Sequence, residues 1–395
     1  MISTPRSFRS YALSALLILV ASAASPARAE ITLGVDSPAA HFSPGNWAGD
    51  AGRGGSLYRR TWNNGAWCQF RWTTPVEHPA AKLLITNQTK GSTIAYFLDG
   101  ALTTNVAVAD KGDIALAGLT GSGNHTLIVY TGTSQQKDRW EGANTFTVAG
   151  LVVDDGSTPL PAEPGRPWVL IIGDSITEGI GAGSSIGDYA FLVGQGLRPR
   201  GYDTCVSACG YSGWIRPGDA GGDVLPYFAV TGGVYNEARS RWNKIDSHTS
   251  LLDSSGHLSG QGAVGQEPAA ILINYIVNET LTKSNLADAQ ASVTGCLAAL
   301  RTAAPNAAII VVMPPGLGDA RVYPGGAPYM AALRDGVAAY QKAAPGDTKV
   351  RLLDLGPEVA HALASAPYGG GVHPNAAGHA FQAPLILQAI LRHLE

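Results

Sequence analysis

Two different periodicities divide the chain. Short runs of alternating apolar and polar residues occupy its first part: Ser56–Arg60, Trp67–Trp72, Lys82–Thr86, Thr93–Leu98, Thr104–Val108, His125–Tyr130 and Thr145–Val153. A period of two marks strands with one buried face, and the Gly, Asn and Asp clusters between the runs supply turns. Many short strands of this kind predict an all-β sandwich or jelly roll. From Trp168 onward the pattern changes to largely apolar strands at Trp168–Ile172, Thr204–Ala208, Ala269–Tyr275, Ala307–Met313 and Lys349–Leu355. Helical periods separate them: Asn285–Ala303, with Leu286, Ala289, Val293, Leu297 and Leu300 on one face, then Tyr329–Ala344 and Ala376–Leu394, the last capped by Asn375. Strand–helix alternation predicts a parallel sheet covered on both faces. The weakly patterned residues 214–268 are expected to fold over the carboxyl edge of that sheet.

The organisation follows from these shifts. Residues 1–29 read as an export signal: Arg6 and Arg9 form a basic start, Tyr11–Ala21 an apolar core, and Ala27-Arg28-Ala29 a small-x-small cleavage site. The core is too short for a comfortable membrane span. Residues 30–155 form the β-sandwich, an accessory module; residues 156–167, punctuated by proline, form a stiff exposed connector; and residues 168–395 form the α/β domain. The mature chain is expected to be secreted or periplasmic, with no membrane attachment.

Composition narrows the partners. A net charge of −3 and 14% charged residues, with no basic run, argue against nucleic acid. Five of the eight tryptophans, Trp47, Trp62, Trp67, Trp72 and Trp140, fall in the sandwich. They are of the type that stacks on sugar faces, but for any one of them a place in the core is the better reading. The four cysteines, Cys68, Cys205, Cys209 and Cys296, allow disulfides in an exported chain. Cys205 and Cys209 are spaced for a local bridge; buried free thiols are the default. No His or Cys pair has zinc spacing, and neither metal nor cofactor is expected.

The chemistry concentrates at the ends of the predicted strands. Val169-Leu170-Ile171-Ile172 runs directly into Gly173-Asp174-Ser175, delivering a serine at a strand's carboxyl end, where open α/β sheets bind ligands. A serine needs a base to act as a nucleophile. His373, held by Pro374 at the start of the last helix, is placed to supply it. After the second strand, Gly210-Tyr211-Ser212-Gly213 offers a backbone amide that can approach a reacting oxygen; after the third, Asn278 offers a side-chain amide. Each residue alone has a plainer reading. Gly213 serves a turn, Asn278 caps a helix, Asp174 is a structural acceptor and His379 is a packed surface histidine. The joint order of Ser175, Gly213, Asn278 and His373 at four strand ends favours the catalytic reading for those four.

This order resembles the SGNH (GDSL-type) hydrolase superfamily, named for Ser, Gly, Asn and His in four blocks. The resemblance implies a three-layer, flavodoxin-like α/β domain with Ser175 as nucleophile and His373 as general base. It also implies an oxyanion hole built from the Ser175 N–H, the Gly213 N–H and the Asn278 side chain. With a jelly-roll module in front, the chain looks most like the family 2 carbohydrate esterases, two-domain enzymes that deacetylate plant cell-wall polysaccharides such as xylan or glucomannan. The expected partner is therefore an acetylated poly- or oligosaccharide.

Two departures stand out. The third block, usually Gly-Thr-Asn-Asp, is Ile276-Val277-Asn278-Glu279, which keeps the Asn but alters the turn. The aspartate usually found three residues before the histidine is replaced by Gly370. Family 2 esterases include Ser–His dyads in which a backbone carbonyl replaces that acid, and a carbonyl between Tyr368 and Gly371 is the expected orienter. Asp354 or Glu358 is the rival. Gly183-Ser184-Ser185-Ile186-Gly187 matches the α/β-hydrolase elbow but lacks the strand that elbow needs, so Ser185 is set aside. A lipase or thioesterase of the same superfamily, or a carbohydrate-binding protein with an inactive hydrolase domain, is the alternative reading.

Overall fold

The computed structural model describes residues 29–51, 57–184, 186–260, 267–356 and 372–394. The leader-like segment, Ser185, Glu358 and the glycine run 369–371 lie outside the described residues.

Two antiparallel sheets make up the first part. One runs Ala48–Ala51, Leu57–Thr61, Phe146–Asp154, Ala81–Thr86, Ile114–Ala115, with Glu30–Gly34 also on Phe146–Asp154. The other runs Thr158–Pro159, Trp67–Thr74, Gly123–Thr131, Thr93–Leu98, Ala101–Ala107, with Ala40–Phe42 also on Trp67–Thr74. Alternate residues of both sheets, among them Phe70, Trp72, Leu83, Ile85, Leu127, Val129, Val148 and Leu151, meet in one apolar core. All five tryptophans of this part are buried at 3% exposure or less, so none presents a face to a sugar. The expected exposed connector is pinned down. Thr158 and Pro159 pair with Thr73 and Trp72, and the Leu160 and Ala162 amides donate to the Arg71 and Pro38 carbonyls.

The second part is a five-stranded parallel sheet in the order Asp203–Ala208, Trp168–Gly173, Ala270–Asn274, Ala308–Met313, Val350–Asp354. The three middle strands are buried along their whole length, which is why they read as unbroken apolar runs. Helices Tyr189–Leu197, Leu286–Ala303, Gly326–Ala343 and Ala376–Leu394 cover it.

The sandwich closes the open edge of this sheet. The Asn46 side-chain amide donates to the Val206 carbonyl at 2.7 Å, and the Trp67 indole donates to the Thr204 carbonyl at 3.1 Å. Both carbonyls belong to the edge strand, whose unpaired groups are otherwise a template for aggregation. The described residues of 214–268 start at the carboxyl ends, where Arg241 donates to Ser207 Oγ and to Tyr275 Oη and Tyr227 N–H donates to the Gly213 carbonyl, and run on to the Trp62 indole, which donates to the Ile245 carbonyl at 2.6 Å, and to the Ala303 carbonyl, which accepts the Leu258 amide. Trp214, Tyr227, Phe228, Trp242 and Leu251 join the main core. The four cysteines are buried and free.

Candidate active site

In chain order the parallel strands lie 2-1-3-4-5, so the order reverses between Trp168–Gly173 and Ala270–Asn274. That reversal opens a crevice at the carboxyl ends. Ser175 leaves the first of these strands and Asn278 the other.

The turn after Trp168–Gly173 is fixed by its own backbone: Glu178 N–H donates to the Asp174 carbonyl and Ile180 N–H to the Ser175 carbonyl, each at 2.9 Å. Asp174 is buried and accepts the Ile176 amide at 2.9 Å through one carboxyl oxygen, while its other oxygen has no partner. Burial, with Glu279 and Glu178 adding like charge, pushes its carboxyl up to about 7. Its place is structural.

His373 Nε2 lies 2.8 Å from Ser175 Oγ, across 198 residues of sequence. Two neighbours fix the segment that carries it. Tyr323 O–H donates to the Val372 carbonyl at 2.8 Å, and Asn375 Oδ1 accepts the Gly378 amide at 3.0 Å, capping the last helix as its sequence predicts. Burial holds the His373 imidazole below its ordinary value, with the Glu178 charge pulling the other way. The ring is thus neutral at neutral pH and able to take a proton.

The oxyanion residues differ in their readiness. Among the described residues nothing accepts from the Ser175 amide. Asn278, on the first turn of the helix Val277–Thr282, donates one side-chain N–H to the Ser212 carbonyl at 2.9 Å and keeps a second. Gly213 departs from expectation: its amide donates to the Arg216 carbonyl at 3.0 Å, closing a turn rather than standing open. Glycine is needed there because a Cβ would lie 2.1 Å from the buried carboxylate of Glu279, which itself accepts the Ile215 amide. Tyr211, in the same turn, has φ +65° and is 53% exposed at the rim. Of the two rival acids, Asp354 is engaged elsewhere, accepting from Arg334 at 2.6 Å and from the Gly356 amide at 3.0 Å.

A model of the GDSL-like lipase/acylhydrolase family matches residues 171–381. The chain belongs to this family. Among solved structures, a family two carbohydrate esterase from Clostridium thermocellum, in complex with cellohexaose, superposes with a TM-score of 0.62 at 16% identity, covering 90% of this chain and 99% of that one. An acetyl xylan esterase from Butyrivibrio proteoclasticus gives 0.63 at 15% identity, covering 93% and 98%. A salicylyl-acyltransferase from a tetracycline biosynthetic pathway gives 0.60 at 17% identity, covering 92% and 98%. At these identities the likeness is one of fold. A comparison with curated proteins finds no match.

Three further residues hold the GDSL turn: Glu178 and Arg139, which the sequence pattern does not single out, and His379, which is expected at the surface and is found buried. Glu178 is buried and accepts from Asn64, Gln136, Arg139 and the Gly210 amide. Arg139, from the sandwich, is fully buried between Glu178 and Asp219. His379 is no surface residue. It is 0% exposed, accepts the Tyr189 amide at its Nδ1 (3.2 Å), approaches the Ile180 carbonyl with its Nε2 at 3.4 Å and stacks on the Tyr189 ring. It braces the last helix against the nucleophile turn. Glu178 was findable from its place on that turn. Arg139 carries no local signal at all.

Proposed function

We propose that the protein is an exported serine esterase that removes O-acetyl groups from carbohydrate, a plant cell-wall polysaccharide such as xylan or glucomannan. The observation that carries the reading is the 2.8 Å pairing of Ser175 Oγ with a His373 ring held neutral by burial. The carbohydrate esterases among the structural neighbours and the exposed Tyr211 ring beside the site support a sugar ligand. The leader-like residues 1–29 support export.

The geometry orders the steps. Ser175 Oγ attacks the ester carbonyl carbon while its proton passes to His373 Nε2. The negative charge formed on the carbonyl oxygen is met by the Ser175 amide and the second N–H of Asn278, with the Gly213 amide joining if its turn opens. His373 then protonates the departing sugar oxygen, leaving acetyl-Ser175. Water attacks that ester with His373 as base, acetate leaves, and the proton returns to Ser175.

Acetate release from acetylated xylan and glucomannan tests the reading. Wild type should release acetate, and Ser175→Ala and His373→Ala should each fall close to background, with the double variant little worse, because the two groups act as a unit. Faster turnover of long-chain than acetyl esters would instead indicate a lipase of the same family. Polysaccharide binding without turnover would indicate a binding protein.

A further inference from the structure

We infer that Glu178 is a positioning residue of the catalytic apparatus, and that the β-sandwich belongs to that apparatus because it supplies most of the donors that hold Glu178. The inference rests on the esterase reading above. Glu178 lies three residues past Ser175 with a side chain at 0% exposure. Its Oε1 accepts from Asn64 Nδ2 at 2.9 Å and from Arg139 Nη1; its Oε2 accepts from Gln136 Nε2 at 2.6 Å and from the Gly210 amide at 2.7 Å. Three of these donors come from the sandwich. The fourth opens the turn that carries Ser212 and Gly213, so one carboxylate ties the nucleophile turn to the oxyanion turn. Gly210 has no room for a side chain, since a Cβ would sit 1.9 Å from Gln136 Nε2.

The charge of the cluster matters as well as its shape. Arg139 lies between two buried carboxylates, Glu178 and Asp219, one cation against two acidic groups. In the sequence, Gly370 takes the position three residues before His373 where an acid usually stands. Around Glu178 and His373, Asp174, Asp188, Asp219 and Glu279 hold raised carboxyls, the Cys209 thiol is pushed up, His379 is neutral and Arg241 lies on the Trp62 ring; of these surroundings it is the Glu178 charge that raises the His373 imidazole against its burial. A buried negative group does this from a distance because the low-dielectric interior screens it poorly. Glu178 thus does part of what the missing aspartate does.

Glu178→Gln and Gln136→Ala test this on 4-nitrophenyl acetate, with Ser175→Ala as the baseline and circular dichroism to verify folding. Glu178→Gln should lower kcat about ten- to a hundredfold, the scale of a small misplacement at a reacting centre, with KM within about twofold. It should also move the acid limb of kcat/KM to lower pH, because removing the negative charge makes His373 harder to protonate. Gln136→Ala removes one bond and no charge; it should lower kcat without moving the limb. Unchanged kcat in Gln136→Ala overturns the inference even if Glu178→Gln fails to fold. An unmoved limb in folded Glu178→Gln, with kcat and KM tracking lost stability, reduces the residue to a structural pin. Wild-type turnover no faster than Ser175→Ala would overturn the esterase reading itself.

Discussion

At Ile276 the backbone holds φ at +102°, a region that β-branched residues avoid, and the side chain is fully buried. The position corresponds to the glycine of the usual Gly-Thr-Asn-Asp block, so the turn keeps its shape at the cost of strain, and Asn278 still reaches the site. Strain of this kind is worth about 1–2 kcal/mol per L-residue, which glycine escapes. Ile276→Gly should therefore destabilise less than Ile276→Ala, although it removes one more carbon; denaturant midpoints in the opposite order would rule out strain. Asn278→Ala removes an oxyanion donor and should cut kcat about 10²–10³-fold with little change in KM. A raised KM with kcat intact would make Asn278 a substrate-binding group. Asp354→Asn should leave turnover within about twofold, because Arg334 and the Gly356 amide occupy that carboxylate. A triad acid would cost about 10⁴, so a loss of that size would defeat the dyad.

Among the elements, what was legible in the sequence followed from burial. All five parallel strands stand within a residue or two of their predicted places, the three middle ones because strands buried on both faces leave unbroken apolar runs, and Asn285 and Asn375 mark helix starts through their caps. The helix Tyr189–Leu197 was missed: two glycines and a nearly uniform apolar face blur its period, and its start rests on Asp188, whose Oδ1 accepts the Phe191 amide. The sandwich pieces Ala40–Phe42, Ala48–Ala51 and Ile114–Ala115 are too short to show alternation. Nor did periodicity reveal the brace at His379, since its partners lie about 190 residues away. That brace should be visible in the pH dependence of stability. Burial depresses His379 from its ordinary 6.5 to about 4, so the unfolded chain binds the extra proton in between and stability falls as pH drops through that window. Asp174 and Asp188, raised to about 7, act in the opposite sense: their contribution is lost as pH rises through that value. Because the two effects offset each other, the comparison must be with His379→Gln, which should flatten the acid-side loss by up to about 1.4 kcal/mol per pH unit. Parallel wild-type and variant curves between pH 6.5 and 4 would place the proton-linked group elsewhere.

For the molecule as a whole, the sandwich is no appended module. It covers the edge strand Asp203–Ala208 through Asn46 and Trp67, packs Trp62 and Trp140 against Cys209 and Val224, and sends Arg139 into the catalytic half. The change of period along the chain marks a change of fold class, but no periodicity in either half marks the buried interface that the two share. A chain beginning at Trp168 tests the difference. Its Glu178 and Asp219 would regain water on losing Arg139, so the charges alone would not unfold it. The apolar surface around Cys209 and Val224 would also open, as would the Thr204 and Val206 carbonyls of a strand with no partner on that side. Burial is worth about 25 cal/mol for each Å² of apolar surface, and the whole fold has a margin of about 5–15 kcal/mol. The expected product aggregates or binds a hydrophobic dye, and any soluble fraction shows little esterase activity because Glu178 has lost three of its four donors. A soluble, fully active 168–395 fragment would return the sandwich to the role of accessory.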